Sequence, residues 1–177
     1  TVVVIGDGAV GLCAILSAAK LAGAGRVIAV GHNPKRLEIA KQFGATDTFN
    51  SHDENVRDEI VDLTRGGAQH VVEAVGHQTS LDLAVAVARP GGTVSFVGVP
   101  HKVERPPMDD IFHNNLSLVG GVAPVRAYLP DLVEALDTGR IDPSPVLDLE
   151  LPLDRAPDGY AAMDERRAIK VLLAVSG

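Results

Sequence analysis

The sequence predicts an α/β fold, a parallel sheet of about six strands with helices packed on both faces. Three observations carry this expectation. Short apolar runs recur along the chain (VVVI, RVIAV, HVVEAV, TVSFV, LSLV), and a glycine follows each of them. Most of the segments between these runs place apolar residues at helical spacing. Aromatic residues make up only 3% of the chain and Trp is absent, so the core must be built from Val, Leu, Ile and Ala. That palette suits a parallel sheet covered on two sides.

The first strand is Val2 to Ile5, and an apolar helix follows over residues 12–21. Between them Gly6-Asp7-Gly8-Ala9-Val10-Gly11 matches G-x-G-x-x-G. Each glycine has its own role in such a turn. Gly6 permits the tight exit from the strand, and Gly8 lets the backbone approach a pyrophosphate with no Cβ in the way. Gly11 lets the helix pack closely on the sheet. The helix N-terminus then offers unpaired N–H groups, at Ala9 and Val10 among others, to an anion. Gly23 and Gly25 punctuate the end of the helix, and a second strand over 26–30 ends in Gly31. This completes the βαβ unit that a dinucleotide-binding, Rossmann-type sheet requires.

The remaining elements follow in order. Asn33 caps a helix whose first turn holds Pro34, and Leu37, Ile39, Ala40 and Phe43 supply its buried face up to Gly44. A short third strand lies within 45–50. Ser51 or Asp53 caps a helix reaching Leu63, with Val56, Ile60 and Leu63 on one face, and Gly66-Gly67 breaks it. The fourth strand is expected over 70–75 and a helix over 79–88, closed by Arg89-Pro90-Gly91-Gly92. The fifth strand is 93–97. Residues 100–115 read as a loop with one helical turn near 110–113. A sixth strand covers 116–119, and a helix runs over 125–136 to Gly139. Beyond Ile141 the alternation ends. Pro143, Pro145 and Pro152 punctuate extended runs, a short helix is expected over 157–163 and a last strand over 168–174. We therefore divide the chain into a dinucleotide-binding domain, 1–141, and a C-terminal segment, 142–177.

A chain of 177 residues can bury one substantial core. Its formal charge of -7 argues against a broad nucleic-acid or anionic-membrane surface. The single cysteine, Cys13, excludes an internal disulfide and a cysteine-cluster metal site, and reads as a packed core thiol. No run has the apolar length of a membrane span and no signal peptide is visible, so a cytoplasmic setting is expected. The chain opens inside its first strand, as a piece of something longer does.

The runs VVVIGDGAVG, RVIAVG, LEIAKQFGATD, HVVEAVG and ARPGGTVSFVGVP, in this order, resemble the nucleotide-binding half of the zinc-type medium-chain alcohol dehydrogenases. The resemblance covers nearly the whole chain. The tail LPLDRAPDGYAAMDERRAIKVLLAV resembles the segment that in this family rejoins the catalytic domain. The resemblance implies NAD(P)-dependent hydride transfer between an alcohol and a carbonyl compound. It also implies zinc in the full-length parent, bound by ligands that are not in this chain, so this piece alone is expected to bind nucleotide and catalyse nothing. The zinc-free quinone or enoyl reductases share the fold and compete with this reading, as does a non-catalytic nucleotide-binding domain.

In NAD-binding relatives an acid closes the second strand and accepts from the adenosine ribose hydroxyls. Gly31 occupies that place here and leaves room for a 2'-phosphate, with His32, Asn33, Lys35 and Arg36 positioned to meet it. NADP is thus expected, with NAD possible, and Lys35 and Arg36 read alternatively as a solvated helix face. By resemblance, Val75 and Gly76 border the adenosine, Gly98, Val99 and Pro100 lie beside the nicotinamide, and Gly121 and Val122 meet its carboxamide. Lys170 matches a basic residue near the pyrophosphate, or is a surface lysine. Glu73, inside an apolar strand, is a buried acid in need of partners. The strand over 116–119 resembles the one that pairs with its copy in the family, so a homodimer is expected.

Overall fold

The computed structural model describes residues 1–101 and 103–175. Among these residues eight strands and seven α-helices follow one another as β1 (Val2–Ile5), α1 (Ala9–Lys20), β2 (Val27–Gly31), α2 (Pro34–Gln42), β3 (Asp47–Asn50) and α3 (Val56–Thr64). They continue as β4 (Ala68–Glu73), α4 (Gln78–Ala86), β5 (Ala88–Phe96), α5 (Met108–His113), β6 (Ser117–Gly120) and α6 (Val125–Asp137). Last come β7 (Leu147–Pro152), α7 (Ala156–Asp164) and β8 (Lys170–Ala174). The first six strands form one sheet in the order β3-β2-β1-β4-β5-β6, and every pairing in it is parallel. The chain therefore reverses direction across the sheet between β1 and β4, and ligands of open α/β sheets bind at such a switch point.

Side-chain alternation along β1 and β2 makes two cores out of one sheet. Val3, Ile5, Ile28 and Val30 pack with Val56 and Ile60 of α3 and Ala84 and Val85 of α4. Val4, Val27 and Ala29 point the other way, against Leu12, Ile15 and Leu16 of α1, Ala40 of α2 and Ala135 of α6. This is the three-layer α/β/α arrangement expected from the sequence. Cys13 joins the second cluster from its edge, and burial pushes its thiol up from the usual value. It is a packing group.

Several boundaries differ from expectation for local physical reasons. Helix α1 starts at Ala9, inside the glycine motif, because Gly8 already adopts the extended backbone of an N-cap (φ -80°, ψ 179°). β4 begins at Ala68 and stops at Glu73, because the carboxylate of Glu73 captures the next two free N–H groups and bends the chain. Arg89-Pro90-Gly91-Gly92, expected to close a helix, instead lies within β5. The pairing Ala68↔Ala88 jumps to His70↔Thr93, so the four residues form a bulge in which Gly91 takes a φ of 76°. α5 runs from Met108 rather than over a single turn, and β6 is shifted one residue toward the C-terminus. The tail is more ordered than its prolines suggest. β7 and β8 pair in parallel as a separate two-stranded sheet, joined through α7. No helix among the described residues is long and apolar enough to cross a membrane.

Candidate functional site

The C-terminal ends of β1, β2 and β4 border a cleft of about 470 Å³, lined by Gly6, Asp7, Gly8, Gly31, His32 and Val75 among others. The glycine turn forms its floor. Gly6 leaves β1 with a φ of 120° and donates its N–H to the carbonyl of Val30 at 2.8 Å. Gly11 is buried against this corner, and a Cβ there would run into the carbonyl oxygen of Gly6. Gly8 is different, since a Cβ placed on it would meet nothing within 4 Å. No side chain caps α1, so the N–H groups of its first turn face the space above Gly8 without an internal competitor. Val10, in that turn, is exposed. A backbone floor with donors and no Cβ suits the diphosphate of a dinucleotide.

The opposite wall is organised by Glu73, which is only 2% exposed. Its Oε1 accepts from the N–H groups of Val75 (2.7 Å) and Gly76 (2.8 Å) and from the Ser80 hydroxyl (2.8 Å). Its carbonyl accepts from the N–H groups of Val97 (2.8 Å) and Gly98 (3.1 Å). One residue thus ties together the turns that follow β4 and β5. They interlock closely, because Gly76 has a φ of 85° and a Cβ on it would overlap the carbonyl of Val99. Gly76, Gly98 and Pro100 line a second hollow of about 280 Å³ beside the first, with Phe96 and Leu118 as its apolar wall. Val99 is exposed, as are Gly121 and Val122 beyond β6, and none of the three lines either hollow.

The residues expected around the phosphates have particular surroundings here. The room foreseen above Gly31 is filled. A Cβ on Gly31 would lie 2.6 Å from the Cβ and 2.8 Å from Oδ2 of Asp7, whose carboxyl takes up that space. Arg36 and Asn33 each have a structural partner, although Arg36 still lines the cleft. Arg36 is buried, and its Nη2 donates to the carbonyls of Arg166 (3.4 Å) and Ala168 (3.2 Å), 130 and 132 residues along the chain. Asn33 Oδ1 caps α2 by accepting from the N–H groups of Lys35 (3.0 Å) and Arg36 (3.4 Å). Lys170 opens β8 on the surface and lines neither hollow; Ala168 and Ile169 reach the cleft instead.

Two residues of the cleft escaped sequence reasoning. Asp7 occupies a variable position of the glycine motif; an acid there, between two glycines and next to a buried strand, was the available signal. Arg166 arrives from the tail with a φ of 57°, and its Nη1 lies 3.1 Å from Nε2 of His32. No local pattern announces that contact.

Floor, switch point and paired turns define an α/β domain of the Rossmann type. The chain belongs to the zinc-binding dehydrogenase family, whose model, described as "Zinc-binding dehydrogenase", matches residues 9–138. A probable zinc-binding alcohol dehydrogenase of Mycobacterium tuberculosis is 40% identical over 168 residues, 93% of this chain and 42% of its own length. Among solved structures, alcohol dehydrogenase TADH from Thermus sp. ATN1 has a TM-score of 0.91 at 38% identity, over 99% of this chain and 52% of that one. A structure described as an NAD-dependent alcohol dehydrogenase has a TM-score of 0.87 at 28% identity, over 99% and 51%. The chain spans about half the length of the curated relatives it matches.

Proposed function

We propose that the protein carrying this chain transfers hydride between an alcohol and a carbonyl compound with a nicotinamide dinucleotide, and that this chain is its cofactor-binding portion. The observation that supports it best is the contrast between Gly11, packed against Gly6, and Gly8, open above an uncapped helix terminus. When bound, the nicotinamide supplies the hydride carrier, and zinc held by residues outside this chain supplies the Lewis acid that lowers the alcohol's pKa. The residues of this chain bind and orient. The first turn of α1 takes the diphosphate, Val75 borders the adenosine, and Gly98, Val99, Gly121 and Val122 lie toward the nicotinamide end. Residues 142–177 return the chain toward the portion that carries the substrate pocket.

β6 is one of the two edge strands of the sheet, the other being β3, and Val119 on it is exposed. An unpaired edge of this kind invites a partner strand, and the reading includes a homodimer joined through residues 116–119. The whole protein is expected to reduce a nicotinamide dinucleotide with simple alcohols, to lose that activity on removal of zinc, and to scatter light as a dimer or a multiple of one. Alcohol-dependent turnover that survives metal removal would point instead to the zinc-free reductases, and absence of any turnover to a non-catalytic domain. A monomer at high concentration would remove the edge-pairing argument.

A further inference from the structure

The end of β2 is where folds of this type discriminate between the two nicotinamide dinucleotides, through an acid that accepts from the ribose hydroxyls and repels a 2'-phosphate. β2 ends here in a glycine, yet the place of the missing side chain is not empty. Cβ, Cγ and Oδ2 of Asp7 lie 2.6, 2.9 and 2.8 Å from where a Cβ of Gly31 would stand. A carboxyl group from the turn after the first strand reaches the end of the second. Gly31 and Asp7 are thus one device: a side chain at 31 and a carboxyl at 7 cannot share this volume.

What Asp7 does there bears on an incoming anion. Its Oδ2 accepts from the N–H groups of His32 (3.0 Å) and Asn33 (2.8 Å). Successive backbone N–H groups at such a turn form a concavity that attracts anions, and this one already holds an internal carboxylate. Oδ1 has no hydrogen-bond partner among the described residues, and Asp7 lines the cleft while 7% exposed. A free acceptor in that position suits a ribose hydroxyl, which donates, and opposes a phosphate, which cannot. The basic side chains of the lining are engaged in part, while Lys35 is exposed on the first turn of α2 and His32 Nδ1 lies 3.9 Å from Asp7 Oδ2. Arg36 is buried on the carbonyls of Arg166 and Ala168, and Asn33 caps α2. Arg166 is the remaining arginine of the lining, and it is held at Nε2 of His32.

We infer that Asp7 is the specificity-determining residue of this site and selects NAD over NADP. Selection works through a built-in repulsive element together with the acceptor it offers. The inference rests on the reading of the cleft as a nicotinamide dinucleotide site. The test is an equilibrium titration of the whole protein with NADH and with NADPH, followed by the nucleotides' own fluorescence, for the native sequence, Asp7→Asn and Asp7→Ala.

The native protein is expected to bind NADH at least tenfold more tightly than NADPH. Both variants are expected to narrow that ratio by tenfold or more. Asp7→Asn keeps an oxygen for the two N–H groups while removing the charge, so it guards against a folding defect in Asp7→Ala; should neither variant fold, the native ratio alone decides. NADPH binding as tightly as NADH to the native protein overturns the assignment, as does an unchanged ratio in a folded variant. Binding of neither nucleotide overturns the cofactor reading and this assignment with it, whereas equal binding of both overturns the assignment alone.

Discussion

Gly11→Ala is expected to abolish dinucleotide binding and to destabilise the fold by about 3 kcal/mol, the upper end of overpacking costs. For a chain of this size that is a fall in Tm of roughly 6–12 °C. The reason is that the added methyl meets the carbonyl oxygen of Gly6, a backbone atom that no rotamer change can move aside. Relief requires α1 to lift from β1, and this opens the contacts of Leu12, Ile15 and Leu16 with Val4. It also displaces the N–H groups above Gly8. Gly8→Ala makes the contrast. Its backbone is extended with a negative φ, and nothing surrounds the new methyl, so Tm should stay within about 1 °C, the scale of a neutral surface change. Binding should nonetheless weaken by tenfold or more, because the methyl stands where the diphosphate approaches. A Gly8→Ala protein that binds NADH normally would show that no phosphate comes near this turn.

Glu73→Ala is expected to cost about 4 kcal/mol, since it strands buried donors at about 1–3 kcal/mol each and leaves a cavity. The donors are the N–H groups of Val75 and Gly76 and the hydroxyl of Ser80. The effect should extend to the cofactor. Val75 and Gly76 follow β4 directly, and Gly98 and Val99 interlock with them, so a loosened turn shifts residues that border both hollows. Glu73→Gln keeps an acceptor of the same length and should lose only about 1–2 kcal/mol, roughly the difference between a charged and a neutral hydrogen bond. Thermal unfolding of the three proteins measures this. If Glu73→Ala melted with the native protein, the carboxylate would not be what holds the two turns.

The parts of this fold that local chemistry controls were legible in the sequence. Five apolar runs with helical segments between them pointed to the sheet, because burial on both faces leaves no freedom for polar alternation. The glycine motif located the cleft floor, because only a residue without Cβ fits beside the Gly6 carbonyl. A buried acid in HVVEAV had to find donors, and Glu73 found them in the next two N–H groups. The features that escaped depend on contacts between distant residues. Asp7 meets the backbone of His32 and Asn33 from the neighbouring strand, and Arg36 Nη2 donates to carbonyls of the tail. A basic residue after β2 reads the same in sequence whether it faces solvent, a phosphate or a buried carbonyl. The start of β5 was hidden for another reason: Arg89-Pro90-Gly91-Gly92 has turn chemistry, and the structure spends it on a bulge within the strand.

Cofactor binding at this site requires a diphosphate lying over the turn of Gly6, Gly8 and Gly11. The most direct measurement is a crystal structure of the whole protein grown with saturating NADH. The expected result is a diphosphate above Gly8 within hydrogen-bond reach of the N–H groups that open α1, the adenosine ribose beside Asp7, and the nicotinamide toward Val99 and Val122. A nucleotide seated elsewhere, or a solvent-open turn left empty at that concentration, would contradict it.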